Sequence, residues 1–194
     1  MIACNPLKEM TMKKLLTAVA CVAALCAGGW AHAGVLTFND PGLVDIDIND
    51  VATYTEGSFT ISGQAASFLT LDGALVGSIV GTPFSLKTVD GGPFSLLAFD
   101  YAFYDLGLGD PSGTLSVVGL FDGQEVASDV FDLGALTNAS FGSQWASLTE
   151  VTFTGTTGFS LDNISAVPEP SSLALAAIGL MGVVAGARKR RTVG

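Results

Sequence analysis

Between Gly34 and Ala166 this 194-residue chain has no cysteine, no histidine and one basic residue, Lys87. The three cysteines, Cys4, Cys21 and Cys26, and the lone His32 all precede that stretch. Without cysteine the middle of the chain has no disulfide framework and no thiolate metal or nucleophile site. Without histidine it loses most nucleophile–base pairs and the usual zinc sites. Sixteen acidic residues face Lys87 alone there, a net charge of −15. Such a surface repels phosphate backbones and excludes nucleic acid as a partner, while it tolerates divalent cations. Charged residues are scarce overall, at 13%, and mean hydropathy is +0.54. That apolarity is concentrated in residues 15–33 and 173–187. The remaining span, 34–166, is long enough to bury a core without staples.

The first apolar segment reads as an address. In "MKKLLTAVACVAALCAGGWAHAG", Lys13 and Lys14 form a basic start and Leu15 to Ala27 an apolar run too short to span a bilayer comfortably. Ala31-His32-Ala33 supplies the small-residue cleavage pattern, with Ala31 and Ala33 as its signal residues. Residues 1–33 are therefore expected to be a secretory signal peptide, used by the Sec translocon and cut after Ala33. Residues 1–11 read as an upstream mis-start. His32 leaves with the peptide.

The middle, 34–166, alternates in short apolar runs separated by turn residues. "GSFTISG", "FSLKTV", "PFSLLAFDYAFYD", "GTLSVVGLF", "QEVASDVFDLG", "LTEVTFTG" and "GFSLDNIS" are the clear strand segments. In "LTEVTFTG", Val151 and Phe153 share one face and Thr152 and Thr154 the other, the two-residue period of a half-buried strand. Asp122-Gly123 sits between two such runs and favours a hairpin turn with positive φ. "PFSLLAFDYAFYD" is apolar on both sides, Leu97, Phe99, Tyr101 and Phe103 against Phe94, Leu96 and Ala98, and predicts a central strand. No helix-period stretch of useful length appears. The expected fold is all-β, an antiparallel β-sandwich of jelly-roll type rather than an immunoglobulin-like one.

The available chemistry is oxygen chemistry. "VDIDIND" alternates Asp45 and Asp47 but lacks the glycine and closing glutamate of a calcium-binding helix–loop–helix, so a solvated acidic loop is expected. Asn39 and Asp40 in the first strand region, with Asp162 and Asn163 in the last, form a candidate set of oxygen ligands for a structural calcium, the one cofactor considered. Tyr54, Tyr104 and Trp145 are candidates for stacking on sugars, with core packing as the alternative. No catalytic residue is assigned. Asn138 and Asn163 each open an Asn-x-Ser pattern.

The chain closes on "AVPEPSSLALAAIGLMGVVAGARKRRTVG". Val167, Pro168, Glu169 and Pro170 form a proline-bracketed acidic motif, and residues 171–187 follow as one apolar segment. At ~1.5 Å per residue that segment spans roughly 25 Å as a helix, short against a hydrocarbon core of ~30 Å. Arg188, Lys189, Arg190 and Arg191 complete it and are expected to stay in the cytoplasm as a stop-transfer cluster. Pro168 and Pro170 hold the chain extended ahead of the helix.

Motif, apolar segment and basic tail together resemble the PEP-CTERM sorting signal over residues 167–194. "GFSLDNIS" also resembles the Phe-x-x-Asp-Asn-Ile stretch found upstream in such proteins. The resemblance implies an exosortase as processing enzyme, which recognises Pro168-Glu169-Pro170 and cuts nearby. It implies transient anchoring in the inner membrane of a Gram-negative bacterium, C-terminus in the cytoplasm, followed by transfer to the cell surface or matrix. The expected role is that of a non-enzymatic surface protein associated with exopolysaccharide or biofilm matrix. A carbohydrate-binding module and a carboxylate-dependent secreted hydrolase are the alternatives. An exposed aromatic row would favour the first of these, and convergent buried carboxylates in a cleft the second.

Overall fold

Strand-period patterning accounts for nearly all of the regular secondary structure among the described residues. The computed structural model describes residues 33–39, 44–105, 107 and 112–169. Among them are thirteen strands: β1 (Gly34–Leu36), β2 (Asp45–Ile46), β3 (Val51–Glu56), β4 (Phe59–Gln64), β5 (Phe68–Leu71), β6 (Ala74–Gly77), β7 (Phe84–Thr88), β8 (Phe94–Phe103), β9 (Thr114–Phe121), β10 (Gln124–Asp132), β11 (Thr137–Ser140), β12 (Glu150–Gly155) and β13 (Phe159–Pro168). The one helical element among the described residues is a 3₁₀ turn, Ser143–Trp145. No helix there is long and apolar enough to cross a membrane. The expected signal peptide, up to His32, and the apolar segment 171–187 lie outside the described residues.

The strands form two antiparallel sheets. One has the order β11-β8-β13-β6-β5, with β1 also paired to β13; the other runs β10-β9-β12-β7-β4-β3-β2. From β6 to β13 the chain switches sheets at almost every connection, staying in one sheet only for the β9–β10 hairpin. That hairpin turns on Asp122 (φ 49°) and Gly123 (φ 78°), the paired positive dihedrals its Asp-Gly sequence favours. In β12, Val151 and Phe153 are buried and Thr152 and Thr154 partly exposed, as the alternation predicts.

Aromatic rings fuse the inner faces. Phe84 of β7 stacks on Phe159 of β13 across the sandwich, centroids 5.7 Å apart. It also stacks on Phe153 of β12 at 5.5 Å. Phe99 of β8 meets Phe153 edge-on at 5.7 Å, and Phe94 meets Phe59 of β4 edge-on at 5.5 Å. The Phe159 ring fits because glycines flank it. A Cβ on Gly77 would stand 2.3 Å from its Cε1, and one on Gly155 2.4 Å from its Cδ1.

The long strand β8 departs from simple alternation. Phe94 and Leu96 are buried, Leu97 is 41% exposed, and Phe99 and Tyr101 are buried again. Leu97 therefore does not share a face with Phe99. The reason lies in the pairing with β13, where Asp162 faces Asp100, Ser165 faces Ala98 and Ala166 faces Leu96. Each strand carries one extra residue in that stretch, so both change phase and their overall register is restored.

Candidate functional site

Strand β13 carries the Phe159 to Ser165 stretch and the start of the sorting motif, Val167 and Pro168, with a bulge between Asp162 and Ala166. Asn163 takes the left-handed conformation (φ 49°), which asparagine tolerates better than most residues. Its N–H donates to Asp162 Oδ1 at 2.6 Å. Its amide donates to Asp100 Oδ2 at 2.8 Å, while the amide of Asn138 on β11 donates to Asp100 Oδ1, also at 2.8 Å. Asp100 thus joins three adjacent strands at the bulge. Before the bulge the buried residues are Phe159 and Leu161; after it they are Ile164 and Ala166. The inward positions pass from odd to even numbers, so Val167 and Glu169 share the outer face.

Glu169 is fixed on that face. Its backbone N–H donates to Pro93 O at 2.8 Å. Its Oε1 accepts from Ser95 Oγ at 2.8 Å and from Ser147 N at 2.8 Å, and its Oε2 accepts from Ser147 Oγ at 2.9 Å. Partial burial pushes the carboxyl up, and the donors from Ser95 and Ser147 outweigh it, leaving the group below the ordinary glutamate value. Ser147 is itself held at φ 55°, a position where a non-glycine residue stores strain. Val167 and Pro168 lie opposite Ser95 and Phe94 as strand residues of the sheet. Pro170 and the basic cluster Arg188, Lys189, Arg190 and Arg191 lie outside the described residues, as does Ala31; Ala33 is exposed just ahead of β1.

Of the four residues read as a calcium set, Asn39 has its Oδ1 2.8 Å from where a Cβ on Gly73 would stand, beside the β5–β6 turn. Asp162 and Asn163 face Asp100 at the bulge, and Asp40 lies outside the described residues. Among the described residues no group of three or more His, Cys, Asp or Glu stands together as a metal site. Burial is the main cause that pushes the Asp162 carboxyl above the ordinary aspartate value; the Asn163 N–H pulls it down, and the charges of Asp100 and Glu56 add to the rise. The folded state therefore holds this proton more tightly than the unfolded chain. Stability gains from it as pH falls from the raised value to the ordinary one, about 3.9. Asp162→Asn keeps an acceptor for Asn163 and removes the charge. It is expected to raise the urea midpoint at neutral pH and to flatten the profile above pH 4; an unchanged midpoint and profile would refute this account.

Two of the three aromatics considered for sugar stacking are core residues. Tyr54 and Trp145 are each 1% exposed. Each has a polar tip served by an acidic partner: Tyr54 Oη donates to Glu56 at 2.9 Å, and Trp145 Nε1 to Asp129 at 3.2 Å. Tyr104 is half-buried. Asp45 and Asp47 are exposed, Asp45 on the short strand β2 opposite Thr53 and Asp47 in the turn after it, with Asp47 Oδ1 accepting from Asn49 N at 2.8 Å and Val51 N at 2.9 Å. These bonds, that from Val51 foremost, lower the Asp47 pKa.

One anchoring residue was not singled out by sequence. Glu56 at the end of β3 accepts from Thr37 N (3.1 Å), Thr37 Oγ1 (3.2 Å), Phe38 N (3.2 Å) and the Tyr54 hydroxyl. It clips the chain leaving β1, in one sheet, to the β3–β4 hairpin of the other. Its donors include residues 18 and 19 positions away, and nothing local marks it.

No curated protein matches this sequence significantly. Among solved structures the chain has a likeness to GH31 CBM32-2 bound to GalNAc, at 12% identity and a TM-score of 0.34, covering 59% of this chain and 96% of that one. It has another to TmCBM61 in complex with beta-1,4-galactotriose, at 11% identity and a TM-score of 0.32, covering 68% of this chain and 97% of that one. Neither is strong enough to carry a property of those proteins over to this chain. Residues 166–191 match the PEP-CTERM protein-sorting motif. The chain is therefore a bearer of the PEP-CTERM sorting motif, and its β domain runs into that motif without a linker.

Proposed function

We propose that this is an exported, non-enzymatic surface protein whose C-terminal motif directs processing by an exosortase. The observation that carries the reading is the sorting-motif match at residues 166–191. Export by the signal peptide at residues 1–33 through the Sec translocon, transient anchoring by 171–187 in the inner membrane and cytoplasmic retention of Arg188 to Arg191 belong to the same proposal. So does delivery of the acidic domain to the cell surface or matrix, where it associates with exopolysaccharide. The domain itself we assign to the jelly-roll type, a reading supported by the alternation of β6 to β13 between two sheets.

A non-catalytic role is supported by how the acidic side chains are used. Asp100 and Asp162 are the carboxylate pair directly opposed in the register, and their oxygens serve the bulge through Asn138 and Asn163. Glu56 clips the sheets together. A carbohydrate-binding role finds less support, since Tyr54 and Trp145 are spent on the core.

The sorting proposal has a direct test. Replacing Pro168, Glu169 and Pro170 with alanine, in a host with an exosortase, is expected to abolish conversion to the mature form and to leave the chain in the membrane fraction. Unchanged processing and location would sink it.

A further inference from the structure

Of the residues that the sorting proposal gives to a processing enzyme, Val167, Pro168 and Glu169 are already engaged by the chain's own domain. Val167 and Pro168 are paired with Ser95 and Phe94, and Glu169 N–H donates to Pro93 O. The Glu169 carboxylate takes three donors from Ser95 and Ser147. Ser147 is a firm platform. It lies between Trp145 and Leu148, both fully buried, and Leu148 exchanges two backbone hydrogen bonds with Phe94 at 2.8 Å. Its left-handed backbone aims both the N–H and the hydroxyl at one carboxylate.

We propose that the β domain keeps its own sorting motif closed: the clasp of Glu169 on Ser95 and Ser147 withholds the Pro168-Glu169 segment from the processing enzyme until the end of β13 frays. This inference rests on the reading that an exosortase processes the motif. The physical basis is competition. An enzyme that binds an extended segment takes hold of its backbone edge and its side chains. Here β8 already occupies one backbone edge, the edge to which the Glu169 N–H points, and the two serines occupy the glutamate. Only residues 167–169 need to leave the sheet, an opening far smaller than unfolding. When opening is fast relative to cleavage, the processing rate follows the open fraction. The chain is then released at a rate set by its own folded edge.

The test uses the full chain in a host with an exosortase, followed by pulse-chase. Ser95→Ala/Ser147→Ala removes two hydroxyl donors to a charged group. It is expected to raise the open fraction and the processing rate by about tenfold or more. A rate equal to that of the native chain overturns the gate. If the triple-alanine motif variant meanwhile stays unprocessed, the sorting reading survives that failure. If the triple-alanine variant is processed normally, the sorting reading falls and the gate with it. Glu56→Gln loosens the domain at a different place and is expected to leave the rate within about twofold; acceleration equal to that of the serine variant would show that processing follows overall stability and would overturn the clasp. Hydrogen exchange on the purified full chain gives a second readout. The Ser147 amide is expected to exchange about tenfold faster in the serine variant while the Phe153 amide is unchanged, and equal exchange at Ser147 counts against the clasp.

Discussion

Gly155→Ala is expected to cost the domain about 3 kcal/mol and to lower its thermal midpoint by on the order of 10 °C. A methyl group at that position would meet Phe159 Cδ1 at 2.4 Å, Phe159 Cε1 at 2.6 Å and Thr157 O at 2.7 Å. The ring cannot retreat. Phe84 stacks against it at 5.7 Å, and on the β6 side Gly77 leaves no more room than its own missing side chain, with Phe159 Cζ 2.6 Å from a Cβ there. Gly77→Ala is expected to cost a similar amount for the same reason. Urea denaturation measures both. The diagnostic result is the double variant Gly155→Ala/Phe159→Leu, whose combined cost should fall below the sum of the single costs, because the smaller side chain removes the clash. Additive costs would refute the glycine-bracket explanation.

Deletion of Asn163 is expected to have a larger effect still. Without that residue β13 loses its bulge, and everything after it changes sides. Ile164 and Ala166, both 0% exposed, would turn outward, while Ser165, Val167 and Glu169 would turn into the core. A one-residue slip of this kind inverts a strand's whole pattern. The deletion variant is expected to give no cooperative unfolding transition and to be recovered insoluble. Asn163→Gly keeps the extra residue and the positive φ while losing the amide bond to Asp100. It should fold and cost only about 1.5–3 kcal/mol, the worth of a hydrogen bond to a charged group. A deletion variant with native-like stability would refute the phase argument.

Residues that carry a local signal were legible. Val151 and Phe153 alternate with threonines, Asp122-Gly123 prescribes its own turn, and the motif at Val167 to Pro170 lies in plain order. The all-β class followed from the same short-range patterns. What depended on distant partners was not legible. Tyr54 and Trp145 read equally well as rings for sugar stacking or as core packing, and what decides for the core are neighbours such as Asp129, 16 residues from Trp145. The two-sided apolar pattern of β8 came from a change of phase, which a period-two reading takes for two apolar faces. Glu169 appeared as a recognition residue only, since its partners Ser95 and Ser147 are 74 and 22 residues distant.

The place of β13 in its sheet has a mechanical consequence. Along its full length β13 is flanked by β8 on one side. On the other side β6 covers its first half, Phe159 to Leu161, and β1 its second, Ile164 to Ala166. Tension entering at Glu169 along the strand axis therefore loads these ladders side by side in shear, with many hydrogen bonds sharing the force at once. A strand at a sheet edge pulled across its axis would instead unzip bond by bond. The exit point thus combines three last residues held by β8 and the two serines with a strand behind them that is paired on both sides. A pull along this axis therefore meets more resistance than one that peels the strand from its neighbours.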